Sequence, residues 1–148
     1  MPPLISIVIP SNNKTELLDR AVQSIVSDVG WDATFEICIS DNSSSDTTGQ
    51  LILEKWSHRS DITYRRSLDA LSLDENVNMA VTIGSGEYTW IFGDDDVLAP
   101  KFLEYLKNYL MQHKPDILII NSSSFDDDGV IEQHRHVMQD VKIYDGND

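Results

Sequence analysis

Short apolar runs alternate with stretches of helical periodicity along most of this chain, and that alternation constrains its fold more than any other feature. Residues 4–9 (LISIVI), 35–39 (FEICI), 88–92 (YTWIF) and 116–120 (DILII) read as strands, with 62–65 (ITYR) as a weaker candidate. The stronger runs are apolar almost continuously rather than at every second position, the pattern of strands covered on both faces, as in a parallel sheet. Between them, Leu17, Leu18, Ala21, Val22, Ile25 and Val26 fall on one helical face, with Asn13 and Glu16 at capping-box spacing before it. Leu51, Ile52, Lys55 and Trp56 suggest a second helix that Ser45 or Asp46 could cap. Residues 76–83 suggest a third, stopped by Gly84 and Gly86. Pro100 suits the first turn of a fourth, with Phe102, Leu103, Leu106, Tyr109 and Leu110 as its buried stripe.

Such an order of elements predicts an α/β fold: a doubly wound, mostly parallel sheet flanked by helices on both faces. The turn signal at 127–129 (DDG), followed by 130–137, predicts a returning strand and an antiparallel ribbon at the C-terminal end. The 148 residues fit a single domain over 1–148. No apolar run is long enough to span a bilayer, and residues 4–10 lack the length and basic flank of a signal peptide, so a cytoplasmic location is expected. Cys38 is the sole cysteine and lies inside an apolar run, which makes it a core residue rather than half of an internal disulfide.

Charge narrows the ligand. With 25 acidic against 11 basic residues the formal net charge is −14, which argues against nucleic acid and anionic lipid surfaces as partners. A phosphate ligand would need local positive charge from a metal, a helix N-terminus or a few placed basic residues. The dense carboxylates favour a metal.

In open α/β sheets, ligands bind beyond the carboxyl ends of the strands. The segments after the first, second and fourth runs are Pro10-Ser11-Asn12-Asn13, residues 40–46 (SDNSSSD) and Gly93-Asp94-Asp95-Asp96. Three consecutive carboxylates repel one another unless a cation or several donors neutralise them. Magnesium is usually held by one or two carboxylates plus substrate phosphates. Taken alone, the triplet is equally a solvated acidic turn capping the helix at Pro100. Asp41 could accept a hydrogen bond from a base or ribose, or close an Asx-turn. Ser11 and Asn13 could offer donors to a nucleotide, although for Asn13 the helix cap is the simpler role. A phosphate-binding lysine loop and a GxGxxG turn are both missing after the first run. His134 and His136 would share a face on a strand, and Trp31, Trp56 and Trp90 read as packing residues that could alternatively stack on a base or sugar.

Together, these segments resemble family 2 glycosyltransferases of the GT-A fold. Residues 4–13 resemble the family's opening strand and loop, residues 40–46 its Asp-Asn-small-Ser-x-Asp loop, and Asn78 through 86–88 to 93–100 the approach to its DxD region. The form WIFGDDDVL is similar to the branch that includes abequosyltransferase-like enzymes of bacterial surface polysaccharides. The resemblance implies a nucleotide-sugar site lined by Pro10, Ser11, Asn13, Asp41, Asn78, Asp94 and Asp95, with Asp41 facing the base and Asp94 near the ribose. It further implies Mg²⁺ or Mn²⁺ held by Asp95 with Asp96 on the diphosphate of a nucleoside-diphosphate sugar. The acceptor would be a saccharide or lipid-linked saccharide, reached from the cytoplasm or the inner face of the membrane, and transfer would invert the anomeric centre. Gly93 stands where many relatives carry the first Asp of the DxD triplet, and Val77 where relatives often have Arg. Relatives also continue into an acceptor-binding region that supplies the catalytic base, so a donor-binding part without that base is expected here. Two other readings remain open on sequence alone: a nucleotide-binding module without turnover, and another metal-dependent α/β enzyme such as a phosphatase or nucleotidyltransferase.

Overall fold

A computed structural model describes residues 2–125 and 131–132 of the chain. It divides into two compact units, residues 1–107 and 108–148. The element order is β1 (Ile5–Ser11), α1 (Thr15–Val26), β2 (Phe35–Asp41), α2 (Thr48–Trp56), β3 (Ile62–Arg66), α3 (Leu73–Ile83), β4 (Tyr88–Ile91), α4 (Phe102–His113), β5 (Ser124–Phe125) and β6 (Ile131–Glu132).

The first unit is built on a four-stranded sheet in the order β3-β2-β1-β4, with every pairing parallel. β1 and β2 are buried along almost their full length, as their continuous apolar sequences require. Side chains alternate between the two faces of a strand. On one face Val8 and Cys38 pack with Ala80 and Ile83 of α3, Ser6 donates to Glu36, and Ser40 donates to Asn76 of α3 at 2.6 Å. Ile5, Ile7, Ile9, Phe35, Ile37 and Ile39 fill the other face, each at most 1% exposed. The strand order explains the layering. The chain steps from β1 outward to β2 and β3, then crosses back over the sheet to β4. Right-handed crossovers therefore put α1 and α2 on one face and α3 on the other. The buried stripe of α1 is Leu18, Ala21, Val22 and Ile25.

The return to β4 demands a close approach. A Cβ at Gly86 would lie 2.7 Å from the backbone nitrogen of Ser6, so the loop before β4 can run this near β1 only with glycine. The Gly86 amide also donates to the Ser6 hydroxyl at 2.7 Å. All three tryptophans are taken up by packing. Trp31 stacks on Phe35 and donates to Asp61, Trp56 donates to Asp19, and Trp90 meets Phe92 edge to face. Cys38 is fully buried, and burial, with a smaller contribution from the charge of Glu36, pushes its thiol up to about 12.

Three sequence expectations change. Residues 116–120 form no strand, and Ile117 and Ile119 are 66% and 72% exposed; an apolar run becomes a strand only where a neighbour supplies its ladder bonds. α3 begins at Leu73, three residues before the expected start, because Ser72 and Glu75 form a reciprocal capping box. α1 has Lys14, not Asn13, at its N-cap, with no side-chain cap. In the second unit β5 pairs with β6 in antiparallel register, Phe125 opposite Ile131, which is the ribbon foreseen from the turn signal. His134, His136, the turn signal at 127–129 and residues 130 and 133–137 of the expected returning strand lie outside the described residues.

Candidate functional site

In a sheet of order β3-β2-β1-β4 the order of strand connection reverses between β1 and β4, and open α/β sheets bind ligands outside the carboxyl ends of the strands at such a switch point. The loops that leave β1, β2 and β4 meet at this rim. Parallel register sets Ser11 beside Asp41, and Asp41 beside Arg66.

The first two loops are tied by side chains. Asn13 adopts a left-handed conformation, φ 52°, which places its own amide on the Ser44 hydroxyl at 2.9 Å. Its side-chain oxygen accepts the backbone amides of Ser45 at 2.8 Å and Asp46 at 3.3 Å. Asn13 therefore clamps the β2–α2 loop and does not cap α1, the geometry that asparagine tolerates better than most residues. Ser43 is also left-handed, φ 53°. Asp46 joins the starts of α1 and α2 by accepting from the Thr15 hydroxyl at 2.8 Å and the Thr48 amide at 3.0 Å. Burial pushes the Asp46 carboxyl upward, but the bonds from Thr48 and Thr15 outweigh it and hold it below the ordinary carboxylate range.

Asp41 is fully buried. Its Oδ1 accepts the Ser44 amide at 3.0 Å, while Oδ2 accepts the Tyr64 hydroxyl and faces Arg66 Nε at 3.7 Å. Burial and the bond to Asp41 both raise the Tyr64 phenol, so it stays protonated as a donor. Arg66 also donates to the Ser44 carbonyl at 2.7 Å, and its side chain is half exposed. Ser11 is 2% exposed, and its hydroxyl is a buried polar group with no hydrogen-bond partner among the described residues. Its carbonyl receives the Asn42 amide at 2.8 Å and the Asn76 side chain at 3.3 Å. α3 thus presents Asn76 to the strand ends; Asn78 lies on its exposed side.

The acidic triplet divides its work. Asp94 is 7% exposed, and Lys14 Nζ bridges it and Asp95, donating to Asp94 Oδ1 at 3.0 Å and Asp95 Oδ2 at 2.8 Å. The bond from Lys14 holds the Asp95 carboxyl below its ordinary range, and those same carboxylates, Asp95 first, raise the ammonium. Asp96 instead folds back and accepts the Gly93 amide at 3.2 Å. The structure therefore pairs Asp95 with Asp94, not with Asp96. A Cβ at Gly93 would lie 2.6 Å from the Asp96 carboxylate, so glycine here goes with the turned-in Asp96. Among the described residues no three His, Cys, Asp or Glu side chains gather as a complete metal cage. What the rim does hold is two carboxylates, Asp94 and Asp95, converging on one side-chain cation.

Sequence reading located the three loops but missed Lys14, Tyr64, Arg66 and Asn76. Lys14 had one available signal: it is a cation immediately after the first loop in a chain with few cations. The other three carry none, because their roles depend on which strand or helix lies beside them.

Comparison with known proteins gives a consistent result. The family model described as "Glycosyl transferase family 2" matches residues 6–146. The chain is 40% identical over 109 residues to abequosyltransferase RfbV of Salmonella typhimurium, covering 72% of this chain and 32% of that protein. Among solved structures, the S. aureus TarS fragment 1–349 in complex with UDP superposes with a TM-score of 0.76 at 21% identity, over 88% of this chain and 38% of that one. The Pyrobaculum calidifontis mannosyltransferase PcManGT with GDP-Man and Mn²⁺ superposes with a TM-score of 0.61 at 17% identity, over 68% of this chain and 30% of that one. The chain thus spans about a third of the length of these proteins.

Proposed function

The chain belongs to glycosyl transferase family 2, and from that premise we propose that it is the donor-binding part of a bacterial polysaccharide glycosyltransferase. Its substrate is a nucleoside-diphosphate sugar and its acceptor a saccharide or lipid-linked saccharide, met at the cytoplasmic side of the membrane. Among the described residues no helix is long and apolar enough to cross a membrane.

The observation that carries this reading is the grip of Asp94 and Asp95 on a single cation, at 3.0 and 2.8 Å, on the rim where the order of strand connection reverses. A rim so organised accepts a metal-linked diphosphate. Asp95, with Asp94, would hold Mg²⁺ or Mn²⁺, and Asp96 keeps the turn closed. Pro10, Ser11 and Asp41 line the nucleoside. The Ser11 hydroxyl, buried at this rim without a partner among the described residues, is a polar group that no protein bond already occupies. Asn13 holds the β2–α2 loop in place behind them, and Asn78 stands on the exposed side of α3. A bound divalent ion would supply Lewis-acid stabilisation of the departing nucleoside diphosphate. The acceptor hydroxyl would attack the anomeric carbon and lose its proton to a base as the bond to the diphosphate breaks, inverting that centre.

Calorimetry with UDP, GDP, CDP and dTDP, each with and without Mn²⁺, tests the reading. At least one nucleotide is expected to bind in a metal-dependent way, with affinity reduced about tenfold or more in Asp95→Asn. No metal-dependent binding to any of the four would overturn the proposal.

A further inference from the structure

Lys14 bridges the two carboxylates to which the functional reading above assigns a metal. Its ammonium hydrogen-bonds both Asp94 and Asp95. In a chain of net charge −14, two adjacent carboxylates with one of them buried repel each other unless a cation sits between them. The residue type is suited to leaving. Lysine is a point charge on a flexible four-carbon stem, whereas an arginine fork would lock onto one carboxylate. The Lys14 side chain is 37% exposed, so it can turn away without unpacking the core.

From this geometry we infer that Lys14 is a resident counter-ion of the ligand-free site, which competes with the divalent metal and must release Asp95 before the metal can seat. The inference rests on the functional reading above for the metal's place. A metal ligated at about 2.1 Å and an ammonium at hydrogen-bond distance cannot share the same carboxylate oxygen lobe, and their like charges repel. The ligand-free protein is thereby neutralised locally and spared the repulsion of bare carboxylates. Metal alone binds weakly, and seating it is favoured once a diphosphate adds further ligands and negative charge.

The test uses Mn²⁺ alone, without nucleotide, titrated into the wild type, Lys14→Met and Lys14→Arg and followed by the electron paramagnetic resonance of free Mn²⁺. Lys14→Met removes the competitor at similar length and is expected to bind Mn²⁺ about three- to tenfold more tightly, whereas Lys14→Arg stays at or below wild-type affinity. Equal or weaker Mn²⁺ binding by Lys14→Met overturns the inference. A variant that had merely lost its fold would not gain affinity. A second readout needs no mutation: reductive methylation of Lys14 in the wild type is expected to speed up at saturating Mg²⁺, and an unchanged rate would equally overturn the exchange. The two proposals fail separately. Metal-dependent nucleotide binding with no gain in Lys14→Met leaves the function standing and removes the exchange. Tighter Mn²⁺ binding by Lys14→Met with no nucleotide bound does the reverse.

Discussion

Asp41 shows how a single side chain can be foreseen in position while the partners that hold it stay hidden. Its place at the end of an apolar strand marked it as a rim carboxylate. In the fold it is also a buried acceptor for Ser44, Tyr64 and Arg66, and those partners arrive from the following loop and from β3. Replacing Tyr64 by Phe removes one donor from a buried carboxylate and leaves packing nearly unchanged. It is expected to lower the unfolding free energy by about 1–3 kcal/mol, measured by urea denaturation; an unchanged midpoint would mean that water replaces the phenol. Gly49 belongs to the same arrangement, since a Cβ there would lie 2.7 Å from the Tyr64 hydroxyl. Asn13 was misread for a related reason. Its capping spacing to Glu16 was real, but the backbone of the β2–α2 loop, 32 residues away, offered donors that compete better for its side-chain oxygen.

Helices and strands differ in how far they can be read locally. The capping box of α3 is written in four consecutive residues, Ser72 to Glu75, and needs no tertiary partner. Ser72→Ala is accordingly expected to cost about 1 kcal/mol of stability and to fray the first turn of α3. The fraying should appear as faster amide exchange at residues 73–76, and exchange no faster than wild type would count against the cap. A strand carries no such local closure. Residues 4–9 and 116–120 have similar apolar density, yet only the first is a strand, because β2 and β4 flank it and supply its hydrogen bonds. The weaker run at 62–65 became β3 for the same reason, by pairing with β2.

Across the whole molecule the dominant physical quantity is the net charge of −14. Self-repulsion of that size destabilises the compact state, and salt screens it. Raising NaCl from about 10 to 150 mM, where the Debye length falls from about 30 to 8 Å, is expected to raise the melting temperature by a few degrees. A fall would mean that ion pairs such as Lys107–Asp32 and Lys55–Asp19 outweigh the repulsion.

Composition and periodicity were sufficient for the α/β class, the parallel pairing and the three rim loops. Apolar strands, amphipathic helices and polar strand ends are local consequences of residue type. Folding alone settled that Asp95 pairs with Asp94 through Lys14, that Asp96 turns inward to Gly93, and that Asn76 rather than Asn78 meets the strand ends. Those pairings join residues up to 81 positions apart, and hydrogen bonds a few ångströms long are set by strand order and helix rotation, which no short window of sequence contains.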